Sequence, residues 1–448
     1  MNHSRYLGLA LPLILTTITT PLLGAVDTAV VGQLDDSSYI AGVAVGTIIF
    51  NTMYWLFGFL RVSTSGFAAQ AHGTKNEDDL LRSLSRPLLL ALGISACLVA
   101  LQYPIKEQFL PLLTSDPAVK SLAIEYFAIR IWGVPFGLLN YVIIGWMMGL
   151  AMIKKTLFLQ MYMNVTNIVL DILFVKVFSW GVAGVAAATL ISEVSTFVIG
   201  LFIVWKAIPA NQRKKIFQIK SIDLSSYKKM MRMNRDLFIR TLCLLIVFNV
   251  FTAKGGTFGT EILAANAILI QIHYIMAYMY DGFANASSIL TGRAIGSNDK
   301  ALYRSTIKRS FQWAIISSLS ISSVYFVFKD RIHLLFTSLP EVLNVVGTYE
   351  AWIIIFPIVS SFGVVLHGIF VGATEASSLR NSMILALIVF LVSLYLATPG
   401  LGNHGLWLAF ILFSTARSLF LILHVPKLSR TLGFHEVRYD GDNKVFNN

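Results

Sequence analysis

Four side chains in the N-terminal half have the types and spacing to hold a cation. Asp27 lies inside an apolar stretch running from Tyr6 to about Gly32. A carboxylate there costs a few kcal/mol to insert, and where one is kept it is usually functional. The alternative is a helix end near water, because Gly32 and Asp35 follow closely. In a later apolar stretch Asn167 and Asp171 are one helical turn apart and share a face, with Asn164 nearby. Thr189, on the next stretch, adds a hydroxyl. These oxygens together could hold a proton or, if preorganised, a sodium ion. The competing reading is an interhelical hydrogen-bond network that only fixes packing. Glu193, one turn after Thr189, is a further candidate for the nest, or else snorkels to an interface.

A second group mixes soft, aromatic and polar side chains: Met53 beside Tyr54 and Trp55, Asn140 beside Tyr141, and Met279 within the run from Met276 to Asp281. Methionine adapts its shape and aromatic faces attract organic cations, which suits a permissive binding site. Residues of these types also build packing and interfacial belts. Asp27, Met53, Asn140, Tyr141 and Met279 are therefore the substrate-contact candidates. Cys97 and Cys243 sit in apolar runs, with neither a disulfide framework nor metal-ligand spacing. His72, His273, His367 and His404 are scattered, so no resident metal or other cofactor is expected. HExxH and GxSxG patterns are absent, and no paired aspartates fall in a known protease or transferase pattern; the chain does not read as an intramembrane enzyme.

The elements that must position these residues span a membrane. Of the 448 residues 56% are hydrophobic and only 13% charged, with a mean hydropathy of +0.71; in water such a chain would expose large apolar patches. Apolar segments fall near 6–32, 38–60, 80–103, 122–150, 157–178 and 181–205, then near 237–256, 262–290, 306–328, 347–373, 382–399 and 402–424. Backbone groups in hydrocarbon must be bonded internally, so these are helices. The expected fold is an all-α polytopic membrane protein, twelve transmembrane helices in two pseudo-symmetric six-helix bundles around a central cleft. The bounds are an N-terminal lobe over 1–206, a basic cytoplasmic linker over 207–235, a C-terminal lobe over 236–425 and a cytoplasmic tail over 426–448. The first apolar stretch is too long for a signal-peptide core and shows no clear cleavage site.

The net charge of +12 does not mark a nucleic-acid binder, because the lysines and arginines are confined to short loops. Eighteen of them, from Lys75 to Arg380, fall on the side of the termini, against six on the other side. Both termini are therefore expected in the cytoplasm. The halves also echo one another. GFAAQAHGTKNEDDLLRS is matched by ILTGRAIGSNDKALYRS, and Gly145 and Gly149 stand 223 residues before Gly368 and Gly372 (145 to 368, 149 to 372). Parallel repeats of this kind place a substrate site at their interface, near the midplane.

PLLGAVDTAVVGQL, YWLFGFLRVSTSGFAAQAHG, NVTNIVLDILFV and GVAGVAAATLISE, in that order, carry a resemblance to the multidrug and toxic compound extrusion (MATE) family, within it the DinF-like branch. The resemblance covers nearly the whole chain. It implies two lobes around a cleft that opens alternately to either side, and export of amphipathic organic cations against inward protons or sodium ions. It also implies an N-lobe coupling site at Asp27, Asn167, Asp171 and Thr189. Pro12, fifteen residues before Asp27, becomes a hinge at which helix 1 bends on protonation. The C-terminal half lacks the acid that NorM-like members use, since no carboxylate falls between Asp236 and Glu261. Protons are accordingly favoured over sodium, which stays open at the same four residues. Small organic cations, the coupling ion and membrane lipid are the expected partners, with no nucleic acid, for a monomer in the bacterial inner membrane. The rival reading is a flippase for lipid-linked saccharides, which needs cationic cleft residues; the central helices offer Arg61, Arg240 and Arg417.

Overall fold

The structure, a computed structural model, describes the backbone of residues 2–31, 37–217 and 224–431. Within those ranges it describes all side chains except those of 19–31, 37, 214–217, 224 and 431. Every regular element among the described residues is helical. In chain order these are α1 (His3–Val31), α2 (Ser37–Phe57), α3 (Phe59–Thr74), α4 (Glu77–Ala100), α5 (Gln102–Leu113), α6 (Pro117–Arg130) and α7 (Val134–Gly149). There follow α8 (Ile153–Asp171), α9 (Gly181–Ala207), α10 (Leu224–Gly256), α11 (Thr260–Gly296), α12 (Lys300–Leu334), α13 (Pro340–Gly372) and α14 (Ala376–Thr431).

Several of these join into single spans. α2 and α3 run together across Gly58, α6 and α7 across a short turn of 3-10 helix, and α14 is two helices meeting at Gly402, where φ is +53°. Eleven spans are long and apolar enough to cross a bilayer among the described residues. With α1, 29 residues long where about 20 suffice, the count is the expected twelve. α10 begins at Leu224, inside the stretch expected as linker, because Met230 and Met233 are buried and extend the helix towards the loop.

The halves pack by one repeated rule. Gly145 and Gly149 of α7 press against main chain of α3, at the Arg61 and Ser65 carbonyls; Gly368 and Gly372 of α13 press against main chain of α11, at the Ala284 and Ser288 carbonyls. All four residues of the second set lie 223 positions after those of the first (61 to 284, 65 to 288). A Cβ on any of these glycines would drive into backbone, so the helices approach more closely than side chains allow. The caps repeat too. Asn76 closes the start of α4 by accepting from the Asp78 and Asp79 amides, and Asp299 closes α12 by accepting from the Leu302 amide at 2.8 Å.

The halves meet where α3 crosses α11. Gly73 and Gly296, again 223 apart (73 to 296), face each other there: a Cβ on either would lie 2.9 Å from the other's Cα. Beside them Gln70 donates from Nε2 to the Gly372 carbonyl at 2.9 Å, and Arg293 donates to the Leu150 carbonyl at 2.9 Å. Each half thus holds the end of a helix of the other half.

Candidate functional site

The N-terminal half places the polar face of α8 on its inside. Asp171 and Asn167 are each 1% exposed and Asn164 is also buried, the three on one face at helical spacing. α8 ends at Asp171 and the chain continues as a π-helix over Ile172–Val177. A switch to π geometry alters the direction of the following side chains and is frequent at functional sites. Thr189, on α9, meets the same face: the Asn167 amide Nδ2 donates to the Thr189 hydroxyl at 3.3 Å, and that hydroxyl donates to the Val185 carbonyl at 3.1 Å. The Asn167 Oδ1 is buried without a partner among the described residues. α1 packs along α8. Asn167 and Thr189 are thereby in contact, with Asp171 one turn along the same face of α8. The side chain of Asp27 lies outside the described residues. Pro12 sits in α1, which continues through it as one helix, and the Thr16 hydroxyl donates to its carbonyl at 2.9 Å.

Glu193 does not snorkel. It is buried and paired with a residue the sequence reading passed over. Arg130, at the end of α6, grips it with two parallel hydrogen bonds, Nη1 to Oε2 at 2.8 Å and Nη2 to Oε1 at 2.7 Å. The two side chains are 5% and 9% exposed. The Tyr54 hydroxyl donates to Glu193 Oε2 at 3.2 Å, and the guanidinium lies 5.3 Å from the ring centres of both Phe50 and Tyr54. Bidentate contact is the strongest geometry open to an arginine and a carboxylate. Gly133 makes room for it: a Cβ there would come within 2.5 Å of Arg130 Nη1 and 2.6 Å of Glu193 Oε2. A lone arginine within an apolar segment was signal enough to find this centre.

Of the substrate-contact candidates, Asn140 is buried, with its amide donating to the Glu193 main-chain carbonyl at 2.9 Å, which ties α7 to α9. Met53, Tyr141 and Met279 are half-buried against the main apolar core, and Tyr141 meets Tyr54 edge to face with ring centres 6.0 Å apart. The C-terminal half holds a neutral buried network. Asn266 and Asn403 exchange two hydrogen bonds of 2.8 and 3.0 Å, and Trp407 donates to Asn266 at 2.8 Å. One cluster of metal-ligand types lies near the end of α12: Asp330, His333 and Glu350 have ligand atoms within 4.8 Å of one another. Glu350 there is already bonded to the Lys329 ammonium.

Twelve spans in two halves that repeat down to single glycines define a two-lobed membrane transporter fold. The MatE family pattern matches residues 12–173 and 237–398, once in each half. The chain belongs to the MatE family, in its DinF-like branch. It is 38% identical over 421 residues to the DNA damage-inducible protein F of Escherichia coli (strain K12), covering 92% of this chain and 90% of that one. It is 22% identical over 439 residues to the multidrug resistance protein MdtK of Yersinia pestis (strain Pestoides F), covering 95% of both. Among solved structures, the outward-facing conformation of a multidrug resistance MATE family transporter of the MOP superfamily superposes with a TM-score of 0.85 at 19% identity, over 95% of this chain and 96% of that one.

Proposed function

We propose that this chain is a cation-coupled antiporter that exports amphipathic organic compounds by alternating access, with its coupling site on the inner face of α8. The observation that carries the reading is Asp171 with Asn164 and Asn167, buried on one face of a helix that α1 packs against. A carboxylate within a membrane span is costly to insert, and such residues mark ion and substrate pathways. The bare Asn167 oxygen and the Thr189 hydroxyl favour a second reading of the ion, because sodium needs neutral oxygen ligands that a proton does not. The lack of a carboxylate between Asp236 and Glu261 supports coupling in one half alone, and protons remain the first choice. Export is the direction suggested by relatives whose names include multidrug resistance. The charge bias of the loops supports cytoplasmic termini in a bacterial inner membrane, and a cleft completed within one chain supports a monomer.

Antiport requires that ion and cargo each bind one conformation better than the other. The seam between α3 and α11 is the contact that must part when the cleft opens on its other side. The test is proton release on cargo binding in purified protein, alongside gradient-driven uptake in liposomes with and without sodium. Asp171→Asn is expected to abolish proton release and cut sodium-independent uptake at least about tenfold, which corresponds to about 1.4 kcal/mol of lost coupling. Wild-type rates in the variant would remove α8 from the coupling path, and uptake that follows sodium would change the ion but keep the site.

A further inference from the structure

We propose that Asp330, His333 and Glu350 form a binding site for a divalent transition-metal ion of the zinc class, which ties the far end of α12 to α13. The proposal goes beyond the exporter reading and does not rest on it. It also departs from the sequence expectation that no metal is held.

Asp330 and His333 are three residues apart on α12 and so share a face, and Glu350 comes from α13. α12 opens at Lys300, four residues after Gly296 at the seam between the halves (296 to 300). Asp330 is 30 residues further on (300 to 330). At 1.5 Å per residue that is about 45 Å, more than the roughly 30 Å of a bilayer's hydrocarbon. The three residues therefore lie at the face of the protein opposite the seam, where an ion can arrive from water. Asp330 is exposed there.

Their donor atoms converge. One ligand atom from each lies within 4.8 Å of the other two, and His333 Nδ1 stands 3.8 Å from Glu350 Oε2. That is too far for a hydrogen bond. It is close to the spacing of two ligands on one ion, since bonds of about 2.0–2.1 Å at the tetrahedral angle set ligands about 3.4 Å apart. The His333 side chain is 5% exposed, and its Nδ1 makes no hydrogen bond among the described residues. Its other nitrogen is already used: Nε2 lies 2.8 Å from the Tyr325 hydroxyl. A ring that donates from Nε2 presents the lone pair of Nδ1 to an ion, and such outer hydrogen bonds fix the tautomer of metal-binding histidines.

The Asp330 side chain, although flanked by Lys329 and Arg331, forms no hydrogen bond or ion pair among the described residues. The Lys329 ammonium holds Glu350 by Oε1, the oxygen that does not face the imidazole. An ion pair alone would account for Lys329 and Glu350, but it leaves the buried histidine nitrogen and the Asp330 carboxylate unexplained. All four side chains line a pocket of about 310 Å³, with Leu343 and Gly347 opposite, which has room for the ion's remaining water ligands. One imidazole and two carboxylates suit zinc, whereas calcium and magnesium take oxygen ligands.

The experiment titrates zinc into purified full-length protein in lipid nanodiscs, by calorimetry, with any affinity tag removed and no ion gradient. We expect one zinc per chain, little disturbed by a large excess of calcium or magnesium, and a melting temperature that rises with zinc. Asp330→Asn alters an exposed side chain without a partner, so the protein should fold as wild type. Zinc binding in that variant should weaken by about 10- to 100-fold or more, because even an outer hydrogen-bond partner is worth that much. Tyr325→Phe, which deletes the outer partner, should cost about 10- to 100-fold. Asp330→His supplies a second imidazole and should bind zinc more tightly than Asp330→Asn, a gain that misfolding cannot mimic. The proposal is overturned if wild type takes up no zinc, if Asp330→Asn binds as wild type does, if Asp330→His binds no better than Asp330→Asn, or if calcium competes equally.

Discussion

Replacing Glu193 by alanine isolates what the Arg130 pair does. The variant leaves a guanidinium that is 5% exposed with one remaining hydrogen bond, to the Tyr54 hydroxyl at 3.3 Å, and two aromatic faces. Removing one partner of a buried pair costs about 3–5 kcal/mol, most of it the penalty of an uncompensated charge. For a half of roughly 200 residues, at about 2–4 °C per kcal/mol, the melting temperature should fall by roughly 10 °C. Arg130→Met with Glu193→Leu removes both charges and keeps the volume, which for buried pairs is often close to neutral. The double variant should therefore melt well above either single one, and the cycle should give a coupling of about 3 kcal/mol or more. The assay is thermal unfolding in a nonionic detergent, followed by tryptophan fluorescence. If Glu193→Ala melts within about 2 °C of wild type and the double variant is no better than the singles, the pair acts only as an exposed one would, and the reasoning fails.

Other expectations follow from the same packing. Gly133→Ala should lower the melting temperature in wild type but much less in the double variant just described, because the atoms its Cβ meets are then gone. Gly368→Ala should prevent accumulation of monodisperse protein, as its Cβ collides with the Ala284 main chain, whereas Gly347→Ala, with nothing within 4 Å, should be silent by size-exclusion chromatography. Asn266→Leu strands Asn403 and Trp407 and should cost about 1–3 kcal/mol for each polar group left unsatisfied, read as reduced resistance to thermal unfolding.

The spans were legible because hydrocarbon demands long apolar helices, and the repeat was legible because glycine is needed wherever two backbones touch. Gly145 and Gly368 could be paired from spacing alone, although only the structure shows what they press on. Helix 2 was expected to stop near residue 60, yet α3 runs to Thr74. The small residues of GFAAQAHG form the last turns of α3 and also the surface that meets α11. Asn167, Asp171 and Thr189 were visible because polar groups in an apolar segment stand out. Arg130 met the same criterion and was passed over, since its partner is 63 residues away and adjacency in space leaves no mark on local spacing.

The contact between Gly73 and Gly296 lies where the two repeats relate to each other, and it is isologous: each residue touches its own counterpart. A dimer of two identical halves would show the same geometry, and there any substitution would be felt twice at one point. Fusing the halves into one chain removes that constraint. Gln70 and Arg293, at matching positions, already differ, one holding the Gly372 carbonyl with a neutral amide and the other the Leu150 carbonyl with a charged fork. The two halves can thus be tuned separately, and the release of one helix end need not cost the same as the release of the other.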